Sequence, residues 1–161
     1  MSQSPEQLSS GGSRRHGEIG IAAAVLATVV AVAVAGNTLV AVIAAGLGAP
    51  AGFAPLTLPV YGGFTAIGVV AGWLGWRFVQ RRVARPHLVL TALVPLVSVL
   101  SMAPDLLLFA LRFIPGTTPA GVFALMTMHI VVVLCAVPGY AIASHLLHGR
   151  AVVVTPAVAA A

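Results

Sequence analysis

Four long apolar stretches dominate the pattern of hydrophobic and polar positions along this chain. They cover residues 19–47, 56–78, 87–111 and 120–147. Each is longer than the roughly 20 residues that an α-helix needs to cross the hydrocarbon core of a bilayer, which is about 30 Å thick. The pattern therefore predicts an all-α, polytopic membrane protein, folded as a bundle of four transmembrane helices.

The connections between the stretches are rich in glycine and proline, as loops are. Inside the third stretch lie Pro95 and Pro104, each of which removes a backbone hydrogen bond. We therefore expect this span to be kinked or broken. Pro138 and Gly139 predict an interruption of the fourth span in the same way.

The arginines predict how the bundle is oriented. Seven of the eight lie on one side of a four-span arrangement, and only Arg112 lies on the other. Since cytoplasmic loops carry the excess of positive charge, both termini are predicted to be cytoplasmic. The predicted location is the cytoplasmic membrane of a bacterium.

The regions outside the spans are short. Residues 1–17 are polar and predict a disordered cytoplasmic tail, residues 18–148 form the transmembrane domain, and residues 149–161 form a short apolar cytoplasmic tail. A cleaved signal peptide is the alternative for the first stretch. The apolar region of a signal peptide is only about 7–15 residues long, and the first stretch is longer, so we predict a retained helix.

Composition supports a membrane protein and excludes other classes. Hydrophobic residues make up 60% of the chain and charged residues 7%, against about a quarter charged in soluble domains. The net charge of +5 comes from a few scattered arginines without any lysine, so no nucleic-acid partner is expected. Cys135 is the single cysteine, which excludes an intrachain disulfide.

Two ionisable residues inside the spans are the best candidates for chemistry, because a charge at the centre of a bilayer costs about 2.5–3.5 kcal/mol on insertion scales. His129 is predicted near the midplane, and Asp105 near the outer interface. They are the candidate catalytic acid and base. The alternatives are a structural histidine bonded to a neighbouring helix, and an Asp105 that pairs with Arg112.

Further polar residues predict a ligand site. Asn37, Tyr61 and Thr57 could line an outward-facing pocket together with Asp105, with His129 at its floor. Alternatively, Asn37 bridges two helices through hydrogen bonds, and Tyr61 belongs to the aromatic belt at the membrane interface.

Two glycines and two histidines at the ends of spans complete the candidates. Gly68 and Gly72 form a small-xxx-small step that allows close packing of helices. His87 and His145 both map to the cytoplasmic end, where a haem or metal is conceivable. Since no second pair of ligands supports such a site, we predict neither a metal nor a cofactor.

Several motifs resemble a known family. They are Gly36-Asn37-Thr38-Leu39-Val40, Ala84-Arg85-Pro86, the segment 98–105 that ends in Pro104-Asp105, the segment 124–132 around Met128-His129, and Val137-Pro138-Gly139. Together they resemble small actinobacterial four-helix membrane proteins grouped as a domain of unknown function. The resemblance extends over residues 19–147. It implies a fold and a source, but no activity.

Three hypotheses about function follow. The first, which we favour, is a non-enzymatic membrane protein that binds a lipophilic molecule, or a second copy or another membrane protein, within its bundle. The second is a membrane enzyme of the isomerase or cyclase type, with Asp105 and His129 as acid and base on a lipid-soluble substrate. The third is a small proton-coupled transporter that acts as a dimer.

Overall fold

All regular secondary structure is helical in the part of the chain that its computed structural model describes, which is residues 5–152, with side chains for residues 16–147. The helices are α1 (Pro5–Gly46), a short 3-10 helix (Ala54–Leu56), α2 (Leu58–Arg82), α3 (Pro86–Ser101), α4 (Ala103–Leu111) and α5 (Pro119–Val152). Four segments within them are long and apolar enough to cross a membrane: His16–Gly46, Leu58–Arg82, Pro86–Leu111 and Pro119–Leu147. The predicted all-α, four-span architecture is confirmed.

The first helix is longer than the sequence pattern suggests. It begins at Pro5, so residues 5–17, predicted as part of a disordered tail, are helical. No proline interrupts the chain between Pro5 and Pro50, and a formed span provides the nucleus from which a helix extends at low cost.

The third span is broken, as its prolines predict. Met102 separates α3 from α4, and Pro104 stands in the first turn of α4, where its missing N–H costs little. Pro95, in contrast, lies inside α3. The break is therefore caused by Pro104, which has no N–H to donate the backbone hydrogen bond that would join the two helices.

The predicted interruption of the fourth span is wrong, because α5 runs without a break through Pro138. One missing backbone bond is tolerated where a neighbouring helix packs tightly. Such a neighbour is present: a Cβ atom at Gly139 would overlap the side chain of Val29 on α1. The glycine thus allows the close approach that holds the two helices together.

The helices form an up-down-up-down bundle in which α1 and α5 make the most extensive contact and run antiparallel. Val29 on α1 lies against Gly139 on α5, and Gly36 lies against Val131. Later residues of α1 thus contact earlier residues of α5, as in an antiparallel pair of helices.

Tyr140 connects α5 to α2. Its hydroxyl donates to the backbone oxygen of Val69 at 2.5 Å, and its ring lies 5.7 Å from the rings of both Trp73 and Trp76. Trp76 in turn donates to the hydroxyl of Ser144 at 3.1 Å. These tryptophans thus pack within the bundle at its basic end.

The opposite end is closed by the two loops that follow α1 and α4. Phe53 is fully buried there, and a Cβ atom at Gly121 of α5 would lie 3.0 Å from its ring. The outer faces of the helices are apolar, with Leu39, Phe64 and Leu134 each more than 60% exposed. Such a surface suits lipid contact.

Candidate functional site

A cavity of about 670 Å³ lies between α2, α4 and α5. Its walls are mainly aliphatic and aromatic, and it reaches from the loop end, at Ala54 and Phe113, to Gly68 and Val132 inside the bundle. Ligand sites are typically clefts of about 300–1,000 Å³ with apolar walls and a few polar groups that orient the ligand. The polar residues of the wall are Tyr61, Thr65, Ser101, Asp105 and His129.

The polar pair of the cavity is Asp105 and His129, on different helices. The Nε2 atom of His129 lies 3.0 Å from Oδ2 of Asp105. The contact has an ion-pair distance but not the angular geometry of a hydrogen bond, and Oδ2 has no hydrogen-bond partner among the described residues. The pair can therefore still accept a hydrogen bond from a third group.

Local structure explains why Asp105 faces inward. It is the third residue of α4, directly after Pro104, and the break at Met102 places it in a new first turn, where the helix dipole favours an acidic side chain. The residue is 9% exposed. Its ion pair is with His129, and the predicted alternative, Arg112, instead ends α4 in a left-handed conformation with φ of 48°.

A second polar cluster lies where α1 meets α2. Asn37 is buried and donates from Nδ2 to Oγ1 of Thr65 at 3.0 Å. The hydroxyls of Thr38 and Tyr61 are 2.8 Å apart. Tyr61 is buried, so it is not a belt residue at the interface. Thr65 and Tyr61 line the cavity, whereas Asn37 is joined to its wall through Thr65.

Of the remaining predicted residues, Thr57 and Gly72 lie outside the cavity wall and Gly68 lies within it. The hydroxyl of Thr57 donates to Ala54 at the start of α2. Gly68 lies in the cavity wall, with nothing within 4 Å of where its Cβ would be, whereas a Cβ at Gly72 would lie 2.5 Å from the hydroxyl of Tyr140. Of these two glycines, Gly72 is therefore the one at which helices approach closely within the chain, and a packing role for Gly68 stays a prediction.

Sequence reasoning missed two polar residues of the cavity wall, Thr65 and Ser101. Each is four residues from a candidate that it did find: Thr65 follows Tyr61, and Ser101 precedes Asp105. Residues four apart lie on one face of a helix, so this spacing was the available signal for Thr65. It was weaker for Ser101, because the break at Met102 intervenes.

The histidines at the basic end are apart from this site. His87 lines a second cavity, of about 470 Å³, between α2, α3 and α5, whereas His145 is exposed and is not part of its wall. Within the described part of the chain, no three His, Cys, Asp or Glu side chains are grouped as a metal site would require.

A family model matches residues 9–146 of the chain, and its description is a family of unknown function, DUF6069. The chain belongs to this family. The DUF6069 match includes all four spans except the final residue, Leu147, and every residue of the cavity wall, and it confirms the predicted resemblance to a domain of unknown function. No curated protein and no solved structure matches the chain. An actinobacterial source of this DUF6069 protein stays a prediction.

Proposed function

We propose that this small membrane protein binds a lipophilic molecule in the cavity between α2, α4 and α5. The observation that carries the proposal is the composition of the cavity wall, which is apolar except for a few polar groups that include the pair Asp105 and His129. An apolar wall favours a hydrocarbon body by the hydrophobic effect, and a buried polar pair orients its head.

The position of the cavity also supports a ligand that comes from the bilayer. Phe64 and Ile67 belong to its wall, yet they are 71% and 66% exposed on the outer face of α2. At this side, α2 and α4 flank the cavity without extensive contact with each other. A molecule dissolved in the lipid can therefore enter between them without crossing an aqueous phase.

Native mass spectrometry of the detergent-purified protein tests the proposal. We expect a bound small molecule on the wild type and its loss in Gly68→Leu, since a leucine at this position of the wall occupies part of the cavity. The matched control is Gly75→Leu, also on α2 with nothing within 4 Å of its Cβ position, but outside the cavity wall.

His129→Ala is the second variant in this experiment, and His87→Ala is its control in the other cavity. We expect binding of the ligand to be weakened or lost in His129→Ala and retained in His87→Ala. A ligand that persists in both Gly68→Leu and His129→Ala would bind elsewhere, and the proposal would then be wrong.

A second candidate function is catalysis, favoured by the 3.0 Å distance between Asp105 and His129 in one cavity. In an isomerase or cyclase, one of them would remove a proton from a lipid-soluble substrate and the other would return one. Chromatography of the ligand released by the wild type and by Asp105→Asn distinguishes this from binding alone. A product released only by the wild type would support catalysis, and an identical single compound from both would exclude it.

Proton-coupled transport would use the same pair, with the break at Met102 as the moving part and a dimer as the working unit. Its test is proton uptake into proteoliposomes when the ligand is added on one side. Uptake that is present in the wild type and absent in Asp105→Asn would favour transport over simple binding.

A further inference from the structure

The Oδ2 oxygen of Asp105 indicates which group the ligand presents. The Asp105 side chain is 12% exposed and lines the cavity, and its Oδ2 atom lies 3.0 Å from Nε2 of His129 but accepts no hydrogen bond among the described residues. A buried acceptor that makes no hydrogen bond is rare and costly, because folding has removed its water. A ligand that donates a hydrogen bond to this oxygen would remove that cost.

The imidazole beside it adds a second requirement. Nε2 of His129 lies 3.0 Å from Oδ2 of Asp105 but makes no hydrogen bond with it, so an N–H on Nε2 can donate to a third group beside the carboxylate, and the side chain is 37% exposed. A neutral imidazole has one donor and one acceptor nitrogen, and a protonated one has two donors. A group that both donates and accepts can therefore bond to the carboxylate and the imidazole together, as a hydroxyl does.

Charge distinguishes a hydroxyl from an ammonium group. An isolated charge in an apolar wall is expensive, so a buried carboxylate is stable when a neighbouring group compensates its charge. A cationic ligand would lose its own hydration on entry into the apolar wall of the cavity. A neutral donor avoids that cost.

We infer that the ligand of this cavity is a neutral lipophilic alcohol, whose hydroxyl donates to Oδ2 of Asp105 and accepts from the ring of His129. The apolar wall, including Phe64, Leu108 and Met128, receives its hydrocarbon body. The inference rests on the proposed function, and it adds the chemical class of the ligand.

The test compares four probes of equal chain length: dodecanol, methyl dodecyl ether, dodecylammonium and dodecane. Each is added to the full-length protein in lipid nanodiscs, with isotopically labelled histidine, and affinity is expressed per mole fraction of probe in the bilayer. The resonances of His129 are identified by their absence in His129→Gln. The ether oxygen can accept a hydrogen bond but cannot donate one. The difference in affinity between the ether and dodecanol therefore measures the hydrogen bond to Asp105.

We expect dodecanol to bind at least about tenfold more tightly than the ether, the effect of one hydrogen bond to a charged group. We also expect it to shift the ring nitrogens of His129. In Asp105→Leu both probes should bind with similar affinity, since the apolar wall remains. Should that variant fail to fold, the change in the His129 resonances of the wild type on addition of each probe compares dodecanol with the ether without any substitution.

The outcomes separate the inference from the proposed function. Equal affinities of dodecanol and ether in the wild type, or tightest binding of dodecylammonium, would overturn the neutral alcohol and leave a lipophilic site in place. Failure of all four probes to bind, dodecane included, would overturn the proposed function as well.

Discussion

At the scale of single residues, some polar side chains of this bundle bond across two helices and others bond to the backbone of their own helix. Asn37 bonds to Thr65 across α1 and α2, while Thr127 bonds to the backbone of Phe123 on its own helix. The two threonines have the same chemistry but different consequences. One bond connects two spans, and the other stabilises nothing beyond its own turn.

The first prediction concerns this bond. Thr65→Val keeps the shape of the side chain but leaves Nδ2 of Asn37 without its partner. We expect the free energy of unfolding to fall by about 1–2 kcal/mol, since a bond between spans is lost and a buried donor is left unpaired. Thr127→Val, on the exposed face of α5, should change it by less than about 0.5 kcal/mol. Reversible unfolding in mixed detergent measures both, and equal effects would contradict the structure.

At the scale of elements, one face of α2 has two surroundings that its sequence does not distinguish. Gly72 contacts Tyr140 on α5, and Gly68, one turn earlier on the same face, borders the cavity. The contact at Gly72 holds the bundle together, and the space at Gly68 leaves room for a ligand. The same residue type therefore serves packing at one position and space at the other.

The second prediction compares these glycines. Gly72→Ala places a methyl group against the hydroxyl of Tyr140, which must then move from its bond to Val69, and we expect a loss of about 1–3 kcal/mol of stability. Gly68→Ala meets nothing within 4 Å and should be neutral or stabilising by up to about 1 kcal/mol, because alanine is the better helix former. Thermal unfolding ranks the two variants, and the reverse order would refute this account of α2.

The third prediction concerns the break between α3 and α4. Pro104→Ala restores an N–H that can donate to Leu100, so α3 and α4 can join and displace Asp105 from His129. We expect the cavity ligand to bind about tenfold more weakly, as expected for a lost hydrogen bond, without a loss of stability.

Pro95→Ala is the matched control for this variant, because Pro95 lies inside α3 and lines only the second cavity. The binding assay described above, with dodecanol in nanodiscs, measures both. Unchanged affinity in Pro104→Ala would show that the break does not position Asp105.

At the scale of the whole molecule, the two ends of the bundle differ in charge. The last turn of α2 and the loop that follows it carry Arg81, Arg82 and Arg85, while the loops at the other end carry only Arg112. The cavity reaches the arginine-poor end, at Ala54 and Phe113. With the predicted orientation, the ligand site therefore lies in the outer half of the membrane.

The fourth prediction tests that orientation. In a Cys135→Ala background, Gly52→Cys places a thiol in the loop after α1, and Ala84→Cys places one in the arginine-rich loop; both positions are exposed. A membrane-impermeant maleimide should label Gly52→Cys in intact bacterial cells, and Ala84→Cys only after permeabilisation. The opposite labelling would place the termini outside, and the variant without cysteine controls for background.

The sequence by itself determined the class of the protein, the number of its spans, their approximate limits and a kink or break in the third span. The physical reason is that a bilayer of fixed thickness requires a minimum apolar length, and that proline lacks a backbone donor wherever it stands. It also identified Asp105 and His129 as candidates, because any ionisable residue within a span is costly.

Only the tertiary structure decided which of these residues meet. Lipid and bundle interior are both apolar, so helices such as α1 and α5 are hydrophobic on all sides, and their sequences do not indicate which face is buried. The rotation of each helix therefore depends on close contacts such as Val29 with Gly139. The packed bundle brings Asp105 beside His129, 24 positions later in the chain, and gives Gly68 and Gly72 different surroundings.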